Sequence, residues 1–371
     1  MSTPARPVTR LAWIDMARGF CVIAVVLLHV GLFHVFPLSP DDHGRPLARI
    51  WVVLNTAILA DLRMPLLLLL SGYLARTKIR QGLSAARTRL AILTNAHIYL
   101  VWTLVFFALG VLHYPAVVTT PLRSWRELGW SLLYPQVGPL WFVYVLVISI
   151  AVLAATRRLP APVVLLGFVA VGWAIIAAGG GEAGLPRAVF FAVGALFGEQ
   201  LIALTTSWLA SLLALAGYGI LVVLAERVSP VIAYPLDLVG GVCAAVAFLA
   251  LAQVVARWRV LRVPGAWIGR RTLGVYVLHW PLVAALTWVG LRYPDVLRPL
   301  LSHQVVEVAY PILITAVVIA LCLLLDRALR AVGLGVLFEP PAPLRRWVTG
   351  TSRLHQLPTP AQADAQRSTS G

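Results

Sequence analysis

The sequence predicts an all-α fold: a polytopic bundle of about ten transmembrane helices with both ends in the cytosol. Three observations predict it. The chain is 60% hydrophobic and only 12% charged, with a mean hydropathy of +0.88, whereas a water-soluble domain carries roughly 25% charged residues. Its apolar runs, separated by short polar breaks, reach the length of about 20 residues that a membrane-crossing helix needs. The basic residues, which give a formal net charge of +16, fall in alternate breaks, the pattern of cytosolic loops.

Spans are expected at 11–36, 50–75, 90–112, 139–156, 162–179, 187–205, 208–225, 233–256, 272–290 and 306–328. Turn chemistry marks Pro37-Leu38-Ser39-Pro40, Gly179-Gly180-Gly181 and Tyr293-Pro294-Asp295. The stretch from His113 to Gly138 is the longest loop. Residues 1–10 read as a short basic cytosolic arm. No small-residue cleavage site follows the first apolar run, so that run reads as an uncleaved span. Residues 11–330 form the membrane domain. Residues 331–371, rich towards their end in Pro, Ser, Thr and Gln, are expected to be a largely disordered cytosolic tail.

Charge sets the orientation. The N-terminal arm, the breaks holding Arg76, Lys78, Arg80, Arg87 and Arg89, then Arg157 and Arg158, then Arg257, Arg259, Arg262, Arg270 and Arg271, and the tail all fall on one side. The other side holds fewer basic residues: Arg45, Arg49, Arg123, Arg126, Arg187, Arg227, Arg292 and Arg298. The richer side is the cytosolic one. Basic residues spread over alternate loops make no continuous surface, so nucleic acid is not an expected partner. Cys21, Cys243 and Cys322 all lie in apolar runs without ligand spacing, which points to neither a metal site nor a disulfide framework.

Ionisable residues inside a span usually face the bundle interior and mark a site. The first span contains Asp15, Arg18 and His29, with His34 near its outer end. Arg18 and His29 are eleven positions apart, so they share a helix face about 16 Å apart along the axis. Asp15 lies within pairing reach of Arg18. A cation near the inner surface with an imidazole deeper on the same wall suits a donor that is anionic at one end and reactive at the other, as coenzyme A thioesters are. His29 would take a proton from a hydroxyl or accept the acyl group. On spacing alone a packed histidine bonded to a carbonyl and an arginine snorkelling to the interface fit equally well. Arg63, near mid-membrane, is expected to face the same cavity and to stabilise an oxyanion or hold an acyl carbonyl, or else to form a structural ion pair. Tyr276 and His279 share a face of the ninth span, in a catalytic, acceptor-binding or packing role, and Pro281 is expected to kink or break that helix. Trp141 and Tyr144 read as interfacial aromatics. His97 and Glu199 lie towards the inner ends of their spans, where they would bound a donor site.

The order of these residues resembles the acyltransferase 3 superfamily of membrane proteins. Asp15-x-x-Arg18-Gly19 followed by His29 resembles its first-span signature, an arginine and a histidine separated by ten residues. Arg63-Met64-Pro65, the leucine run and Ser71-Gly72-Tyr73-Leu74 resemble its second-span element. Pro139-Leu140-Trp141-Phe142 and Ile268-Gly269 through Tyr276 and His279-Trp280-Pro281-Leu282 resemble its later elements. The resemblance runs from Leu11 to about Arg330. It implies about ten membrane helices and a cytosolic acyl-CoA donor. It also implies transfer, often of acetyl, to a hydroxyl of an extracytoplasmic glycan or lipid-linked sugar at the bacterial inner membrane. By motif position it implies that Arg18 and His29 are functional; Asp15 stands beside them as a catalytic candidate, and Arg63, Trp141, Tyr276 and His279 are the candidates for binding substrate. Many members carry an Arg-x-x-Arg pair near the second inner loop; here Arg76, Arg80, Arg87 and Arg89 are spaced differently, and all four are candidates for the coenzyme A phosphates. No tightly bound cofactor is expected; acetyl-CoA would be a co-substrate. Membrane lipid and a glycan acceptor are the expected partners. The alternative is a transporter or flippase for a glycan or lipid-linked precursor, with Arg63, His29 and His279 lining its path; a non-catalytic scaffold fits poorly with so many midplane ionisable groups.

Overall fold

The structure, a computed structural model, describes residues 12–38, 52–55, 59–112, 122–135, 138–180 and 184–350. The described residues contain helices and turns and no strand. The fold is a polytopic helical bundle, and the chain is an integral multi-pass membrane protein. Among the described residues, eight helices are long and apolar enough to cross a membrane.

The first, α1 (Ala12–Val30), continues through a π turn (Gly31–Val35) to Leu38. It is followed by α2 (Ala60–Gln81), α3 (Ala86–Val111), the short α4 (Trp125–Leu133), α5 (Trp141–Ala155), α6 (Ala161–Ala177) and α7 (Ala188–Leu204). Then come α8 (Trp208–Ala225), α9 (Pro230–Val255), the short α10 (Arg259–Gly269), α11 (Thr272–Gly290), the short α12 (Pro294–Leu301), α13 (Gln304–Ala331) and α14 (Ala342–Thr349). Helices therefore stand at all ten expected spans. Two fall outside the eight: α6 has 17 residues, and α2 has 22 but carries Arg63, Arg76, Lys78 and Arg80.

The polarity of α2 goes with its place. Leu66 through Leu70, five successive residues, are each at most 2% exposed. A helix buried on every side is a core helix, and α2 packs on α7 along its length, with α9, α1 and α5 around it. It starts later than its expected span and runs on through Arg76–Gln81, because lysine, arginine and glutamine are good helix formers. Gly82, at φ 79°, ends it. At the other extreme α8 has no buried residue and packs on α9, leaving the rest of its surface to lipid.

The α1–α10 contact needs glycine. A Cβ on Gly269 would overlap the carbonyl oxygen of Asp15, and one on Gly19 would overlap that of Gly265. Small residues let two backbones approach this closely in a membrane. Helix α11 runs through Pro281 without a break. A proline removes one N–H, and a helix clasped by neighbours tolerates that.

The long loop contains α4, opened by a capping box in which the Ser124 hydroxyl accepts from the Glu127 N–H and the Glu127 carboxylate accepts from the Ser124 N–H. Those amides, with that of Arg123, hold the Glu127 carboxyl below the usual carboxylate range. The first stretch of the expected tail is structured. Phe338 is fully buried; the Trp102 indole donates to the carbonyl of Leu337 at 2.8 Å, and the His97 imidazole to that of Val336 at 2.7 Å. Helix α14 follows, and Arg89 donates to the carbonyl of Val348 at 3.0 Å. The difference has a simple cause: one large aromatic with a ready pocket outweighs a polar composition. The N-terminal arm and residues 351–371 lie outside the described residues.

Candidate active site

The centre of the site is a pair of imidazoles from the first and ninth spans. His29 Nδ1 and His279 Nε2 are 2.8 Å apart, and the rings stack at 16° with centroids 5.0 Å apart. The other nitrogen of His279, Nδ1, lies 3.1 Å from the carbonyl oxygen of Val275, one turn back on α11. A carbonyl only accepts, so Nδ1 of His279 carries the proton and its Nε2, in the neutral ring, accepts. Nδ1 of His29 must then donate, which leaves Nε2 of His29 with an unshared pair. This hydrogen-bond chain assigns both tautomers. His279 is fully buried, whereas His29 keeps part of its surface open. Trp280 meets His29 edge-on at 4.7 Å and Phe33 stacks on it at 5.8 Å, fixing the ring from two further sides.

A cavity of about 180 Å³ lies on the Arg18 side of this pair, and neither imidazole is among the residues that line it. Arg18 and Thr272 stand at one end, joined by a bond from the guanidinium to the hydroxyl at 3.2 Å. Val22, Ser71, Thr94, Asn95, Ile98 and Phe142 line it, and Tyr276 closes it. The Tyr276 hydroxyl donates to the carbonyl of Pro139, and its ring lies 6.0 Å from that of His279. Arg18, the cavity, Tyr276, His279 and His29 thus follow one another along the α1–α11 interface, the rise from Arg18 to His29 being about 16 Å. Asp15 is buried, with Arg270 at 3.9 Å.

Arg63 is buried, and its guanidinium donates to the backbone carbonyl of Asn55 at 2.8 Å and to its side-chain oxygen at 3.2 Å. Asn55 in turn donates to the carbonyl of Leu27 on α1 at 3.4 Å. Arg63 and His29 are within electrostatic reach of each other. Just past His29, the π turn carries His34 to a second polar station. His34 bonds Thr287 of α11 at 3.2 Å and Tyr310 of α13 at 2.9 Å. Five residues along a regular α-helix turn a side chain by about 140°; the wider π turn lets both histidines face α11.

The other predicted residues are elsewhere. The Trp141 ring rests against Gly184 and Phe142, away from the imidazoles. Tyr144 donates to the carbonyl of Leu133. Arg76 and Arg80 line a separate cleft, Glu199 pairs with Arg76 at 2.9 Å, and His97 holds the tail. Arg87, seven residues before Thr94, falls on the cavity-facing stripe of α3; Arg89 points the other way. The partnerships with Thr272, Trp280, Thr287 and Tyr310 span some 250 residues of sequence, and no local spacing reveals them.

A membrane bundle with a bonded imidazole pair beside a cavity lined by Arg18 and Tyr276 has the parts of a group-transfer enzyme. The chain belongs to the acyltransferase 3 family: its acyltransferase domain matches residues 11–327, and the protein is accordingly a membrane acyltransferase. No curated protein and no solved structure matches the chain.

Proposed function

We propose that the protein transfers an acyl group, acetyl foremost, from cytosolic acyl-CoA to a hydroxyl of an extracytoplasmic glycan or lipid-linked sugar, at the bacterial inner membrane with both chain ends cytosolic. The observation that carries this reading is the tautomer chain Val275–His279–His29, which leaves Nε2 of His29 able to take a proton. In the step, Nε2 accepts the hydroxyl proton, the alkoxide oxygen bonds to the thioester carbonyl carbon, and the carbon–sulfur bond breaks. The thiolate leaves with the electron pair and takes the proton back from Nε2. The products are the acyl ester and free coenzyme A. Arg63, buried close to His29, favours the oxyanion between these bonds. Arg18 orients the pantetheine end of the donor at the cavity mouth. Arg87, about 10 Å further out on the stripe that carries Thr94 and Ile98, meets the phosphates.

Purified protein in detergent, given acetyl-CoA and a glycan extract of its host membrane, is expected to release free thiol and to add an acetyl mass to the acceptor. His29→Ala keeping full turnover would overturn the assignment. Acceptor translocation with no dependence on a thioester would favour a flippase instead.

A further inference from the structure

The end of the bundle that carries Arg18 holds a second basic cleft, on the opposite face of α2. Its volume is about 220 Å³, and its walls include Arg76 and Arg80 of α2, Arg157 from the α5–α6 turn, and the apolar side chains of Leu153, Val164 and Leu196. The proposed reaction uses none of these residues.

Two features make it more than a run of topogenic charge. First, the arginines converge from separate segments and are held. Arg76 donates to Glu199 at 2.9 Å and to the carbonyl of Tyr73 at 2.8 Å, and lies 3.9 Å over the Tyr73 ring. Arg157 lays its guanidinium on Gly82, in the space a Cβ would fill, where φ of 79° already favours glycine. Secondly, the charges do not balance. Glu199 pairs with Arg76, and among the described residues neither Arg80 nor Arg157 is paired with a carboxylate. Guanidinium groups gathered in one cavity repel one another unless an anion joins them, and their planar forks match phosphate oxygens. The remaining wall is apolar, which an inorganic anion or a nucleotide would leave unused. In a membrane protein an anion joined to an apolar chain is an acidic lipid, and basic pockets between membrane helices bind such headgroups.

We infer that the cleft between α2, the α5–α6 turn and α7 binds the headgroup phosphate of an anionic phospholipid through Arg76, Arg80 and Arg157, with an acyl chain along Leu153, Val164 and Leu196. The inference is independent of the proposed reaction.

The test is thermal unfolding of the full chain in neutral detergent, titrated with dihexanoyl phosphatidylglycerol, dihexanoyl phosphatidylcholine or adenosine 3′,5′-bisphosphate, the last carrying the phosphate chemistry of coenzyme A without its thioester. Phosphatidylglycerol is expected to raise Tm with a midpoint at least about tenfold below that of phosphatidylcholine, in line with the roughly 1 kcal/mol that each basic residue adds near an anionic headgroup. Arg80→Gln and Arg157→Gln should each raise that midpoint several-fold, Arg157→Lys less so, and Arg158→Gln, outside the cleft, should leave it unchanged. The lysine variant keeps the charge and guards against a glutamine variant that fails to fold. Equal midpoints for the two lipids, unchanged midpoints in all three cleft variants, or a bisphosphate shift that the same arginines control would overturn the inference.

Discussion

His29 and His279 share one proton position across 2.8 Å, and the direction of that bond is set by a backbone carbonyl on the far side of His279. The basicity of the reactive nitrogen is therefore decided two bonds away from it. In the proposed reaction His279 acts through His29 and is a positioning residue.

His279→Ala is expected to lower kcat about 10- to 100-fold, the scale of lost outer-shell orientation, while KM for acetyl-CoA changes little. His279→Gln, whose side-chain oxygen can still accept from His29, should recover part of the loss. A merely structural role predicts equal defects in both variants. Steady-state thiol release separates the two cases.

His29→Ala removes the base itself. Turnover should fall about 10²- to 10⁴-fold with the folded fraction preserved, since His29 keeps part of its surface open. Size-exclusion chromatography alongside the thiol assay checks both halves.

Arg18→Ala should raise KM for acetyl-CoA more than it lowers kcat, because Arg18 stands at the cavity mouth beside Thr272 and not at the imidazoles. A kcat defect without a KM defect would place it in the chemical step. Arg87→Ala is expected to act in the same direction, and Arg89→Ala, whose guanidinium is spent on Val348, to leave KM unchanged.

Phe338→Ala empties a fully buried aromatic site, a change that costs about 3–5 kcal/mol in a well-packed core. The expected outcome is a lower Tm in detergent and exposure of the Trp102 indole, read by intrinsic fluorescence. Trp347→Ala, at 81% exposure, is the control and should do neither.

The bundle was legible in the sequence because lipid imposes a length and a polarity on each crossing, and among the described residues eight of the ten expected spans hold helices that satisfy both, α2 falling short in polarity and α6 in length. Arg18 and His29 were legible because their spacing alone puts them on one wall. The partners of that wall were not: Thr272, Thr287 and Tyr310 are ordinary residues until the ninth and last spans dock on the first. The short helices α4, α10 and α12 lie between spans and α14 lies in the tail, places where polar composition reads as loop; α10, for one, holds its place through Gly265 and Gly269 against α1. Likewise the anchoring of Phe338 depends on a slot formed by Trp102 and Arg330, and a low-hydropathy tail gives no hint of it. Asp15 also has Arg270 beside it, brought in by the close approach of α10, a neighbour that its place in the first span could not announce.

The π turn after His29 is, in effect, a helix with one residue too many. Without Leu32, His34 would follow His29 by four positions, a turn of about 40° in regular α-helix, and both histidines would still look towards α11. The extra residue thus shifts the height of the upper polar station along a shared wall, and a one-codon deletion straightens that wall while keeping both His29 and His34 in the chain.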